Sequence, residues 1–184
     1  MDIKLQTQRL LLSPISPSDL EKIHELHSLP ETDRFNTLGI PDSLNQTREI
    51  IEDWVKKNNN GDNTNFTLKI KHTESQEFVG LIALNLGAPK FKIAEVWYKL
   101  HSDFWKKGFA TEALNRILTF GFVDLGLHRI EAGCAVENLG SIRVLEKVGM
   151  TREGRKRQVL PLKDGWSDNF HYAILASDFN QDSN

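Results

Sequence analysis

The chain's pattern predicts an α/β (α+β) fold: a mixed, mostly antiparallel central sheet of about seven strands with helices on both faces. Three observations carry that expectation. Residues 66–71, 78–86 and 93–100 have strand-like composition and period, and only short polar stretches separate them, so they form an antiparallel meander. Helical periods at 109–125 and after Asn138 flank a further strand at 129–136, which makes the sheet mixed. A final pair of strands, 151–159 and 166–175, surrounds an Asp164-Gly165 turn signal.

Taken in order, residues 7–15 read as the first strand, with Leu10, Leu11 and Leu12 between Arg9 and Pro14. Ser16-Pro17-Ser18-Asp19 then supplies an N-cap, a proline at the first helical position and an acidic third residue. A helix is therefore expected to residue 28, with Leu20, Ile23, Leu26 and His27 on its core face. A short helical piece is expected at 32–36. Ser43 to Gln46 forms a capping box for a helix carrying Leu44, Ile50, Ile51, Trp54 and Val55, which the polar run 58–63 ends.

In the strand 93–100, Ile93, Glu95, Trp97 and Lys99 alternate with Ala94, Val96, Tyr98 and Leu100. A short turn feeds the helix at 109–125, where Ala110, Ala113, Leu114, Ile117, Leu118, Gly121 and Leu125 recur at helical spacing. Gly108 gives that turn an unhindered backbone, and Gly126 is placed to end the helix in a left-handed conformation. Ile130, Ala132, Cys134 and Val136 share one face of the following strand. Asn138 caps the next helix, Ile142, Leu145 and Val148 form its core stripe, and Gly149 stops it with Met150 folding back on Leu145.

Composition narrows the function. The 184 residues suit one domain, 1–184, with a sizeable core, and no low-complexity tract divides them. A net charge of -2 argues against general nucleic-acid binding, leaving a small molecule or a protein segment as partner. A single cysteine excludes an internal disulfide framework, and Cys134 reads as packing. The first residues carry no apolar run of signal or membrane length, so a soluble, cytoplasmic protein without a membrane partner is expected, with a homo-oligomer left open. His24 and His27 stand three apart, a spacing metals use, but no third ligand lies near them in sequence, so no metal is expected. Arg155, Lys156 and Arg157 read as a solvated strand edge, with contact to an acidic partner the alternative.

The chemistry concentrates in two stretches. Lys106-Lys107-Gly108 precedes a helix whose first turn leaves backbone N–H groups unpaired at the positive end of the dipole, a place for a diphosphate or similar anion. Neither a P-loop nor a dinucleotide fingerprint is present. The string Trp105-Lys106-Lys107-Gly108-Phe109-Ala110-Thr111-Glu112-Ala113 resembles the W-G-K-G-Y-A-T-E-A loop of the RimJ/RimL-type ribosomal-protein N-acetyltransferases. These are a branch of the Gcn5-related N-acetyltransferases, whose general loop is [QR]-x-x-G-x-[GA]. Asn138 to Met150 is similar to their N-x-x-S-x-[RK]-x-L-E-K-x-G-F string, with Met150 in place of Phe. Lys106 stands where the branch has its first glycine, a replacement that is tolerable if the backbone angles there are ordinary.

The resemblance implies the acyl-CoA N-acyltransferase fold and direct transfer of acetyl from acetyl-CoA to a primary amine. It implies that main-chain N–H groups of Lys106, Lys107, Gly108, Phe109, Ala110 and Thr111 hold the diphosphate. The backbone of Tyr98 and Leu100 would pair with the pantetheine arm, Asn138 would orient that arm or the acceptor, and a main-chain N–H of the strand 93–100 would stabilise the oxyanion. Ser141 becomes the candidate to protonate the leaving thiolate, with a second capping hydroxyl as its plain alternative. Glu95 becomes the candidate base, with pairing to a neighbouring cation as its alternative. The acceptor is expected to be a protein N-terminus, ribosomal by the family's example. A small amine such as a polyamine or aminoglycoside, or a non-catalytic acyl-CoA-binding role, are the alternatives.

Overall fold

The computed structural model describes residues 3–59 and 64–179. One eight-stranded sheet runs through them in the order β1-β2-β3-β4-β5-β6-β8-β7. The strands are β1 (Leu5–Gln6), β2 (Leu10–Pro14), β3 (Asn65–His72), β4 (Phe78–Leu86), β5 (Ile93–Leu100), β6 (Arg129–Ala135), β7 (Thr151–Leu162) and β8 (Gly165–Leu175). All neighbours are antiparallel except β5 and β6. The sheet therefore has one strand more than the sequence predicts, because β1 is only two residues long and shows no period of its own.

Helices cover both faces. Pro17–Asp19 forms a 3-10 turn into α1 (Leu20–Ser28), capped as expected: the Ser16 N–H donates to Asp19 Oδ2 at 2.8 Å. After α1 come α2 (Pro30–Asp33) and α3 (Leu44–Asn59). The expected 32–36 piece thus lies earlier, started by Pro30 at its first position. Residues 60–63 of the polar run that should end α3 lie outside the described residues. Ile23 and Leu26 of α1, Ile51 of α3, Ile15 and Leu81 form one core, with Trp54 and Trp97 packed against it. The opposite face holds the larger core, where Leu114, Ile117 and Leu118 of α4 (Phe109–Thr119) and Leu145 of α5 (Leu139–Lys147) meet Leu84, Val96 and Ile130.

The long helix predicted to residue 125 changes character at Phe120, where Phe120–Asp124 makes a π-helical turn before Gly126 at φ 63°. The wider turn accompanies tight packing, since a Cβ on Gly121 would lie 2.6 Å from Ile130 Cδ1. At the far edge, β7 is a 12-residue strand with little burial on either face. There Arg155 is engaged, donating from Nε to Asp168 Oδ2 at 2.6 Å, while Lys156 and Arg157 are exposed.

Candidate active site

The parallel ladder between β5 and β6 pairs Ile93, Ala94 and Glu95 with Arg129, Ile130 and Glu131 and then stops. Each strand continues on its other side: β5 stays paired to β4 as far as Leu100, and β6 to β8 as far as Ala135. A wedge therefore opens between the C-terminal halves of two central strands. At its rim β4 crosses β5 so closely that a Cβ on Gly80 would lie 2.3 Å from the Lys99 carbonyl oxygen. Backbone polar groups left unpaired in such a gap are an invitation to an extended guest.

The loop leaving β5 closes over the wedge mouth. Trp105 Nε1 donates to the Leu100 carbonyl at 2.8 Å, which fixes the motif's tryptophan and occupies one lone pair of a backbone group assigned above to the pantetheine arm. Gly108, at φ 81°, is the N-cap of α4, and the first helical bond runs from the Glu112 N–H to the Gly108 carbonyl at 3.0 Å. The N–H groups of Phe109, Ala110 and Thr111 precede that bond and remain for an anion. Lys106 departs from expectation: its φ is 60°, so the backbone is left-handed and not ordinary. The family's glycine suits that shape; a lysine there costs about 1–2 kcal/mol.

What holds the loop is a contact across the molecule. Glu112 in the first turn of α4 accepts from Thr7 Oγ1 at 2.6 Å, from the Arg9 N–H at 2.9 Å and from Arg9 Nε at 2.7 Å. The same guanidinium donates from NH1 to the Lys107 carbonyl at 3.1 Å and lies 4.5 Å from the centre of the Phe109 ring. Glu112 is consequently held below the usual carboxylate range by its hydrogen bonds to Thr7 and Arg9, against the opposing pull of burial. Arg9 also neutralises a carboxylate that would otherwise repel an anion at this helix end.

Ser141 lies beside the wedge. Its N–H donates to Asn138 Oδ1 at 3.1 Å, so the Asn138 side chain caps α5. The Ser141 hydroxyl meets the Tyr98 hydroxyl at 2.9 Å. Sequence reasoning assigned Tyr98 a backbone role only and missed this side-chain contact, because 43 positions separate the pair and only strand alternation hints that Tyr98 faces α5. Burial pushes the Tyr98 hydroxyl well above its ordinary range while the bond to Ser141 pulls it back. The neighbouring Cys134 thiol is pushed up to about 11, chiefly by burial.

Glu95 emerges on the opposite face. It is exposed and its side chain makes no hydrogen bond or ion pair among the described residues, whereas the side chain of its parallel neighbour Glu131 is taken by Arg129 Nε at 2.7 Å. On the same face Trp97 packs at 5.5 Å, centroid to centroid, from Trp54, and Lys99 Nζ donates to His27 Nδ1 at 3.1 Å. Burial lowers His27 to about 3 and Lys99 to about 8, the latter opposed by the charge of Asp33. His24 instead contacts the Thr47 hydroxyl at 2.7 Å, so the two histidines serve separate partners. No three His, Cys, Asp or Glu side chains gather in a metal-binding group among the described residues.

A mixed sheet parted at its one parallel pair, with a helix N-terminus at the mouth of the gap, defines the acyl-CoA N-acyltransferase fold. Residues 9–151 match the family described as acetyltransferase (GNAT) domain, and the chain belongs to that family of N-acetyltransferases. The uncharacterized N-acetyltransferase YnaD of Bacillus subtilis (strain 168) is 30% identical over 178 residues, covering 96% of this chain and 99% of YnaD. Two solved structures share the fold at lower identity. One is a spermidine N-acetyltransferase from Vibrio cholerae in complex with CoA and spermine, at 23% identity and TM-score 0.82, covering 94% of this chain and 98% of that one. The other is Mycobacterium smegmatis RimJ in complex with CoA-disulfide, at 24% identity and TM-score 0.84, covering 94% of this chain and 84% of that one.

Proposed function

We propose that the chain moves the acetyl group of acetyl-CoA to the α-amine of a protein N-terminus, a ribosomal protein by the resemblance of its two motifs. One observation carries the reading: where β5 and β6 part, the Ser141–Tyr98 hydroxyl pair stands on one face of the sheet and the unpaired Glu95 on the other. An acyl group lying in the gap would have a proton donor and a proton acceptor on opposite sides.

In this reading the N–H groups at 106–111 bind the diphosphate, with the Lys106 and Lys107 side chains adding charge. The neutral amine attacks the thioester carbonyl carbon to form a tetrahedral intermediate. A backbone N–H of β5 donates to its oxyanion. Collapse breaks the C–S bond, the electron pair leaves with sulfur, and the thiolate takes the Ser141 proton, which the Tyr98 hydroxyl relays from water so that both hydroxyls end protonated. The proton lost by the amine passes to Glu95, directly or through water. Asn138 helps the pantetheine arm only indirectly here, by fixing the helix end that carries Ser141. The single thiol, Cys134, buried and without a disulfide partner, suits a cytoplasmic setting.

An α-amine titrates near 7.7 to 8.0 and a side-chain amine near 10.4. For a peptide acceptor kcat/KM should therefore flatten above about pH 8, while for spermidine it should keep rising toward pH 9 and beyond. Assaying thiol release from acetyl-CoA with N-terminal peptides and spermidine across that range tests the reading; turnover of spermidine with no turnover of any peptide would sink it. A polyamine is the second reading, the class of amine bound in the Vibrio cholerae spermidine N-acetyltransferase of the same fold.

A further inference from the structure

We infer that Arg9 is a positioning residue for acetyl-CoA: reaching across from the turn between β1 and β2, it locks Lys106 in its left-handed conformation and so keeps the turn at 106–111 shaped for the diphosphate. This rests on the placement of the diphosphate proposed above.

The base of this strap is rigid. Thr7 and Leu10 close the turn between β1 and β2: the Thr7 N–H donates to the Leu10 carbonyl and the Leu10 N–H to Thr7 Oγ1, both at 2.9 Å. Leu10 itself is fully buried. Arg9 stands on that turn, and Glu112 aims its guanidinium, with Nε at 2.7 Å and NH2 at 2.6 Å from Glu112 Oε2. That pairing uses one edge of the planar fork and leaves NH1 directed at the Lys107 carbonyl, 3.1 Å away. The Phe109 ring, its centre 4.5 Å from the guanidinium carbon, supports the group from one side.

The other end of the turn is held as firmly. Trp105 Nε1 donates to the Leu100 carbonyl at 2.8 Å, and the Trp105 backbone is extended at φ −68° and ψ 154°. Between these two anchors the chain passes through Lys106 at φ 60° and Gly108 at φ 81°. Glycine takes such angles freely, whereas for a lysine the ordinary conformations are favoured by a factor of roughly five to thirty. The Lys106 side chain is exposed and makes no hydrogen bond or ion pair among the described residues, so the shape is imposed by the anchors and not by the lysine. Released at the Lys107 end, Lys106 relaxes and rotates the two peptide units that flank it, one of which carries the Lys107 N–H. Acetyl-CoA must then restore the turn before its diphosphate can be held, and that cost is taken from its affinity.

Arg9→Lys is the informative variant. An ammonium keeps the charge and can pair with Glu112, but a single nitrogen does not also reach the Lys107 carbonyl. Calorimetry should show acetyl-CoA bound roughly five- to thirtyfold more weakly than by the wild type, and the KM for acetyl-CoA should rise by the same factor while kcat at saturation holds. Made in a Lys106→Gly background, the same change should cost less than about threefold, since glycine needs no anchor to adopt a left-handed conformation. Thermal melts establish that each protein is folded; Glu112→Gln, which weakens the aim of the guanidinium, is the second route in both backgrounds should Arg9→Lys fail to fold. Full affinity in folded Arg9→Lys would mean that Arg9 serves through its charge alone, and overturns the inference. An equal loss in the two backgrounds overturns it as well, because Arg9 would then act on something other than the conformation of Lys106. Gly108→Val separates the underlying placement: if that variant binds acetyl-CoA like the wild type, the diphosphate lies elsewhere and both readings fall.

Discussion

Tyr98 and Ser141 share one hydrogen bond, and the two hydroxyls differ in what their loss would cost. Ser141 also donates its N–H to the Asn138 cap, a backbone role that any side chain preserves. Ser141→Ala should therefore leave α5 capped and acetyl-CoA affinity nearly unchanged while lowering kcat. Tyr98→Phe should lower kcat less, because water can return the Ser141 proton, yet it removes a partner from the same bond. Pre-steady-state rates of acetyl transfer would check the order. Equal rates in wild type and Ser141→Ala, where chemistry limits, would reduce Ser141 to a structural hydroxyl. The double variant matters too: if the pair acts as one unit, its loss should not exceed the Ser141 loss alone by much.

At the scale of elements, the turn from β5 into α4 sets a strained lysine beside a glycine that cannot be replaced. Lys106→Gly should stabilise the fold by up to about 1–2 kcal/mol through relief of the left-handed residue, less what the more flexible unfolded chain takes back. It should also keep CoA binding, since the backbone is the ligand. Gly108→Val should abolish binding, because φ 81° is closed to a β-branched residue. Calorimetry with CoA and chemical unfolding of both variants decide it; a loss of affinity in Lys106→Gly as large as in Gly108→Val would contradict a backbone cradle. The reasons for what was legible in the sequence sit in these same residues. The strand alternation of β5, the Ser16, Ser43 and Asn138 caps and the Gly149 stop depend on near neighbours, so residue type and spacing reveal them. The conformation of Lys106 does not: it follows from loop closure by Trp105 on Leu100 and by Arg9 on Lys107, contacts made 5 and 98 residues away in sequence. The loop's sequence pattern was therefore readable while its strain was hidden. The Tyr98–Ser141 bond was hidden for the same reason, and β7 hides its period because neither face is covered.

Across the whole molecule, the sheet divides its labour between faces. The α4 and α5 side carries the turn at 106–111 and the hydroxyl pair, and the α1 and α3 side carries Glu95 together with a polar group of His27, Lys99 and Asp33. The fold's sensitivity to acid follows from this second side. Folding holds His27 neutral, its pKa lowered from 6.5 to about 3, so the unfolded chain binds the extra proton between those values. The His27 contribution to stability is thus complete above pH 6.5 and is lost as the pH drops below it, by about 1.4 kcal/mol for each unit. Lys99, lowered from 10.5 to about 8, has the same sign in a higher window: stability rises further between pH 8 and 10.5. His27→Asn keeps an oxygen that can accept from Lys99 and removes the titration. Urea unfolding at pH 7.5, 6.5 and 5.5 should show wild type losing about 1 kcal/mol more than His27→Asn over the last step. Parallel pH slopes for the two proteins would mean that His27 protonates without leaving its place, and the acid limit of the fold would have to be sought in the carboxylates. Activity itself falls with amine protonation in both proteins as the pH drops below 8, so the folded fraction, read by circular dichroism, is what should reach lower pH in His27→Asn, with kcat/KM at pH 8 unchanged.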